Sequence, residues 1–208
     1  MVLSQTPDCT RLEWNKHAKE KTFETLGEKL FWAYANVGLA HVALQNNHSE
    51  YQQIDYMVRA RLYKGLCGGT MKIGTLYDDE KEKLNNNTCC YCGATGELSL
   101  DHLIPRKSGG TDSGDNIIYA CKKCNSSKKA TDLIEWMFSN DKFPPILILR
   151  RYLKIVIAYC EECDYMNKKF AGFDKLALPF RIDLLPYKFP KPCDLQLRAS
   201  SMNSANSR

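Results

Sequence analysis

The stretch LSLDHLIPRKSGGTDSGDNIIYAC, residues 98–121, decides the fold, because a pair of closely spaced cysteines stands on each side of it. Leu98 and Leu100 alternate around Ser99, which predicts a strand that delivers Asp101 and His102 at its end. A loop rich in glycine and serine follows over 105–115, and 117–120 reads as the returning strand. The stretch after Cys124 starts a helix. The order strand, loop, strand, helix brings Asp101, His102, Asn116 and Asn125 near one another.

Cys89-x-x-Cys92 and Cys121-x-x-Cys124 are two knuckles at the spacing of tetrahedral zinc sites. Gly93 after the first pair and Asn125 after the second suit tight turns around a metal. Four thiolates leave no open position on the ion, so the expected role is structural, with Zn²⁺ standing in for a core that so small a module lacks. Cys90 is an extra thiol that would compete only if the register shifted. Cys160-x-x-Cys163 lies within a helical pattern and reads as packing, and Cys9, Cys67 and Cys193 are isolated.

Working outward, Phe23, Leu26, Leu30, Tyr34, Val37, His41 and Leu44 recur at steps of three and four and mark the packing face of a long helix. His41 on that face reads as a buried, hydrogen-bonded histidine. Asn46-Asn47 ends the helix, and Ser49 with Gln52 has the spacing of a capping box opening a second one through Tyr51, Ile54, Val58 and Leu62. Gly65, Gly68 and Gly69 close it. A charged run at 78–83 and three asparagines at 85–87 read as the linker into the central module. Beyond that module, Thr131 or Asp132 caps a short helix through Trp136 and Phe138, and Pro144-Pro145 breaks the chain. Ile146, Leu149, Leu153, Val156 and Cys160 then follow at helical spacing. Pro179, Pro186, Pro190 and Pro192 forbid another long helix, and 199–208 reads as a frayed tail.

The whole chain has 208 residues, 44% hydrophobic and 25% charged, the composition of a folded protein. Its first residues lack the apolar run of a secretory signal, so an intracellular, cytoplasmic location is expected, where thiols stay reduced and bind metal. The most apolar stretch, 143–160, is broken by Arg150, Arg151 and Lys154, and no membrane span is predicted. The formal charge of +5 is uneven: residues 141–208 hold 12 basic against 7 acidic groups, while the rest of the chain balances. That basic third is either a seat for a polyanion or a solvated helical surface.

The central segment resembles the HNH endonuclease family over roughly 88–134. The resemblance rests on Cys-x-x-Cys-Gly at 89–93, Asp-His-x-Ile-Pro at 101–105, Gly-Gly-x-Asp at 109–112, Asp-Asn at 115–116 and Cys-x-x-Cys-Asn-x-x-Lys at 121–128. It implies a small ββα-metal HNH module with zinc knuckles at 85–140; with the helical stripes on either side, the chain reads as mainly helical α+β, with an N-terminal helical region at 1–84, a helical and basic region at 141–198, and the tail. It further implies a metal-dependent endonuclease, with His102 as general base and Asp101 and Asn125 holding Mg²⁺ or Mn²⁺ against the scissile phosphate. Asn116 would tie down the loop and orient His102. Arg106 or Lys128 would contact phosphate, from charge and position, and Lys122, Lys123 and Lys129 are phosphate contacts or a solvated surface. The family's third letter is often histidine. Asn125 stands there instead, and its harder amide oxygen favours Mg²⁺. DNA is the expected partner ahead of RNA, with a protein partner or a homodimer formed through the helical flanks. Members act in restriction, mobile elements, phage packaging and antiviral defence; nothing in residues 1–84 selects among these, and defence with an ATPase partner is the working expectation. A zinc module that binds without cutting is the rival reading.

Overall fold

In the computed structural model, the described residues are 21–73, 87–170 and 178–197. The linker run at 78–83, Asn85, Asn86, Cys9 and the tail at 199–208 lie outside them. Among the described residues the fold is α+β and mainly helical, with five α-helices and one two-stranded sheet. In chain order these are α1 (Leu26–Gln45), α2 (Gln53–Cys67), β1 (Leu98–His102), β2 (Ile117–Cys121), α3 (Lys122–Lys128), α4 (Leu133–Ser139) and α5 (Ile146–Glu162). No helix among the described residues is long and apolar enough to cross a membrane.

Helix α1 follows the predicted stripe. Thr25 caps it, its Oγ1 accepting from Glu28 N–H at 3.2 Å, and Leu26, Leu30, Ala33, Val37 and Ala40 are buried. It packs on α2 along one side and α5 along another. The crossing with α2 is close: a Cβ on Gly38 would stand 2.3 Å from Leu62 Cδ1. His41 meets Arg150 of α5, Nδ1 to Nη1 3.3 Å, in keeping with a packing role.

Helix α2 departs from expectation at its start. The cap is Gln52 rather than Ser49, because the Asp55 carboxylate accepts from Gln52 N–H at 2.8 Å and from the His48 ring at 2.9 Å, and is fully buried doing so. A buried carboxylate with two donors outweighs an exposed serine. Ile54, expected on the packing face, is 50% exposed.

Asp132 caps α4, its Oδ1 accepting from Ile134 and Glu135 N–H, while Oδ2 takes the buried Tyr152 hydroxyl of α5 at 2.7 Å. Burial raises the Asp132 pKa despite these donors. The proline-rich end holds no long helix and runs along α1: Lys29 Nζ donates to Leu185 O at 2.6 Å and Trp32 Nε1 to Tyr187 O at 3.0 Å. One hydrophobic core joins α1, α4 and α5 to Cys89, Tyr91, Leu103, Ile104, Ile118 and Ala120 of the hairpin region.

The basic surplus of 141–208 is partly internal. Arg151 and Lys154 are buried, Arg181 pairs with Asp183 and Glu135, and Lys191 pairs with Glu50. Burial removes Arg151 and Lys154 from the surface expected for a polyanion, whereas Arg181 and Lys191 stay exposed in ion pairs.

Candidate active site and metal centre

The hairpin that carries the site is antiparallel, pairing Leu98 with Cys121 at one end and His102 with Ile117 at the other. Helix α3 starts directly after β2, at Lys122 rather than after Cys124, so Cys124 and Asn125 already stand in its first turns. Sulfur chemistry gathers at the first end of the hairpin and oxygen and nitrogen chemistry at the second.

Cys89, Cys92, Cys121 and Cys124 form a cluster whose sulfurs all lie within 4.8 Å of one another. The Sγ atoms of Cys92 and Cys121 are 3.7 Å apart. Zn–S bonds of about 2.3 Å in a tetrahedron require edges of about 3.8 Å, so the donor set fits zinc. The Cys124 N–H donates toward Cys121 Sγ at 3.5 Å and lowers that thiol to about 7, well suited to supply a thiolate. Burial raises Cys89 and Cys124. Cys90 belongs to the core instead, its N–H donating to Tyr119 O at 2.9 Å, so the register is set by Cys89. Gly93, at φ 74°, turns the first knuckle.

At the other end the strand buries a different face from the one its leucines suggested. Leu100 is 57% exposed and Asp101 only 6%. Asp101 points inward because its Oδ2 accepts the Tyr91 hydroxyl at 2.7 Å and lies 3.4 Å from Lys128 Nζ, while Oδ1 accepts from His102 N–H at 2.8 Å. Tyr91 is pushed well above the usual phenol range by burial and then by the neighbouring Asp101. Asn125 docks on this same face, its Nδ2 donating to Ser99 Oγ at 2.8 Å and to Leu100 O at 3.1 Å. With the amide nitrogen committed to β1, Oδ1 is the atom left to face a cation. Asp101 and Asn125 thus lie on one side of the strand, with both Asp101 oxygens already engaged by Tyr91, Lys128 and the His102 main chain.

His102, one residue on, alternates to the other side of the strand. Its Nε2 lies 2.7 Å from Asp112 Oδ1, and its side chain is 25% exposed. Among the described residues, no direct hydrogen bond joins the side chains of Asp101, His102 and Asn125. Each instead bonds elsewhere at this end of the hairpin: Asp101 to Tyr91, His102 to Asp112, and Asn125 to Ser99 and the Leu100 carbonyl.

Asn116 sits beneath the loop. Its Oδ1 accepts from Ile104 N–H at 2.7 Å, and its Nδ2 donates to Ile104 O and Thr111 O, both at 2.9 Å. Gly110 lies so close to this anchor that a Cβ there would stand 1.8 Å from Ile104 O. A cavity of about 500 Å³ lies between this loop and α5, lined by Thr111, Asn116, Ile155 and Tyr159 among others, and His102 is not part of its lining.

The expected phosphate contact by Lys128 is corrected. Its side chain is fully buried, and its Nζ donates to His102 O at 2.6 Å beside Asp101. Burial lowers its pKa and the Asp101 charge pulls it back up. Charge and position in the sequence indicated a cation here but not its burial, and a lysine so enclosed has no surface for a nucleic acid. Arg106 remains outside, 71% exposed, with Nη2 3.4 Å from Asp112 Oδ2.

Sequence reasoning assigned no role to Tyr91, Asp112 or Arg151. Asp112 was visible only as the last letter of Gly-Gly-x-Asp. Arg151 was visible as a charge inside an apolar stretch. It reaches from α5 to donate to Asp115 O at 2.5 Å and to Gly114 O, so the C-terminal helix grips the loop that carries Asp112.

A hairpin with a four-cysteine cluster at its root, an Asp-His pair at its tip and a helix crossing behind it has the ββα-metal arrangement. The comparison with known families agrees: residues 89–131 match the HNH endonuclease family, so this part of the chain is an HNH endonuclease domain. The CRISPR-associated endonuclease Cas9 of Corynebacterium diphtheriae is 36% identical over 55 residues, covering 24% of this chain and 5% of that protein. The likeness therefore concerns the central module and a small part of the relative's length. No solved structure matches the chain.

Proposed function

We propose that this protein is a metal-dependent endonuclease that hydrolyses phosphodiester bonds, DNA first among substrates, with His102 as general base. The observation that carries this reading is the tip of β1, where a partly exposed imidazole follows directly on a carboxylate, with the Asn125 amide of α3 docked on the same strand at Leu100. Water must lose a proton to attack phosphorus, and a histidine near neutrality is the side chain suited to accept it. With Nε2 turned to Asp112, Nδ1 is the atom that takes this proton. Asp101 and Asn125 would hold Mg²⁺ or Mn²⁺, which when bound supplies positive charge to the scissile phosphate and the leaving oxygen. Arg106, exposed beside this tip, is the candidate contact to a neighbouring phosphate.

The zinc knuckles hold the hairpin together and take no part in the reaction. Asn116 keeps the loop closed through its three hydrogen bonds. We take 85–140 as the catalytic module and the helical regions at 1–84 and 141–198 as the parts that dock a partner or select a target. Similarity to a CRISPR-associated endonuclease supports a role in antiviral defence, and a cytoplasmic location is proposed with it.

The test is incubation of purified, zinc-loaded protein with plasmid, single-stranded DNA and total RNA, with Mg²⁺, with Mn²⁺ and with chelator. Metal-dependent cutting of plasmid, leaving 5′-phosphate and 3′-hydroxyl ends, is expected. Cutting of RNA alone would reassign the substrate, and binding without cutting of any of the three would favour a silent zinc module.

A further inference from the structure

We propose that Asp112 is the positioning residue for His102: its carboxylate holds the imidazole in the Nε2–H tautomer and leaves the Nδ1 lone pair free to meet the attacking water. This inference rests on the nuclease reading above and assigns a role to a residue outside the base and metal set.

A neutral imidazole carries one donor and one acceptor, and the partner of one nitrogen decides which role the other plays. Here the partner of Nε2 is Asp112 Oδ1 at 2.7 Å, a charge-assisted distance. A carboxylate has only acceptors, so the nitrogen facing it must carry the proton. Nδ1 is then the acceptor, as a general base requires.

Although Asp112 is 60% exposed, its backbone is not free to wander. On one side Thr111 O is held by Asn116 Nδ2, and Gly110 is packed against Ile104 O. On the other, Gly114 O and Asp115 O are held by Arg151 of α5. The carboxylate therefore sits between two buried anchors, and its second oxygen faces the Arg106 guanidinium at 3.4 Å. An exposed ion pair contributes little energy. The contribution of Asp112 is accordingly geometric, a choice of tautomer and ring angle, and its loss should act on turnover more than on substrate binding.

The experiment compares the full-length parent with Asp112→Ala and Asp112→Glu in Mg²⁺-dependent cleavage, together with ¹⁵N imidazole spectra in mildly alkaline buffer. Partners that orient a metal-binding histidine are worth about 10–100-fold in affinity or activity, and a loss of the same order is expected for a base held in one tautomer. The expected result for Asp112→Ala is a fall of that size in kcat with KM unchanged, and a His102 signal that moves from the Nε2–H pattern toward a tautomer mixture. Asp112→Glu should recover part of the rate and part of the signature. An active parent whose Asp112→Ala variant keeps its kcat, or loses it with the His102 tautomer unchanged, overturns the role of Asp112 and leaves the nuclease reading intact. A parent inert on plasmid, single-stranded DNA and RNA overturns both.

Discussion

The helical platform and the hairpin it supports are held by different forces. Where α1 meets α5, Leu26, Leu30, Leu39, Leu149, Leu153 and Val156 are buried, and full burial of such a side chain contributes about 1.5–3 kcal/mol. The hairpin has two strands of five residues each, with Leu100 turned to solvent. Four sulfurs secure one end and a net of buried donors and acceptors secures the other. Apolar packing absorbs small displacements, whereas a buried donor without its acceptor costs about 1–3 kcal/mol. The chemistry is thus mounted on the layer that depends most on individual contacts, and the helices supply the rigidity it lacks.

Removing the metal site should separate the two layers most sharply. Structural zinc contributes on the order of 10–16 kcal/mol of binding free energy in small zinc modules. Replacing Cys121 and Cys124 by serine should abolish zinc binding, read by elemental analysis. It should also strip hydrogen-exchange protection from β1 and β2 while α1 and α5 keep theirs. Loss of protection in α1 and α5 to the same degree would break the comparison. Asn116→Ala comes next, since it leaves Ile104 N–H, Ile104 O and Thr111 O without their partner. A loss of about 2–4 kcal/mol in urea unfolding is expected, with zinc still bound. Arg151→Met should cost less, about 1–3 kcal/mol, because its carbonyl partners can turn toward water. It should nevertheless slow cleavage, showing that α5 steadies the loop. Thr25→Ala, which removes only the α1 cap, should lower stability by about 1 kcal/mol and leave the cleavage rate unchanged.

The parts of the site that could be read beforehand are those whose partners lie close in sequence or repeat at a fixed spacing. Two Cys-x-x-Cys pairs report the metal cluster because ligand spacing is a local constraint, and the structure gathers those four sulfurs. The strand ends, the α1 stripe and the break at Pro144-Pro145 are legible for the same reason. Arg151 was not, because its partners Gly114 and Asp115 are distant in the chain and carry no side-chain signal. Lys128 shows the converse failure. Its charge suggested the surface, and the fold used it as a buried cation between Asp101 and a main-chain carbonyl. The outward Leu100 and inward Asp101 depend likewise on Tyr91, ten residues before Asp101, reaching across to supply its hydroxyl. Periodicity alone places apolar residues inside, and here the polar net prevails over it.

The account turns on a single proton acceptor, so His102→Ala under single-turnover conditions with Mg²⁺ tests it most directly. General-base catalysis is worth about 10²–10⁴-fold, and the variant should cleave plasmid at least about 100-fold more slowly than the parent while binding zinc and unfolding at the same temperature. Equal cleavage by the variant and the parent would contradict the account.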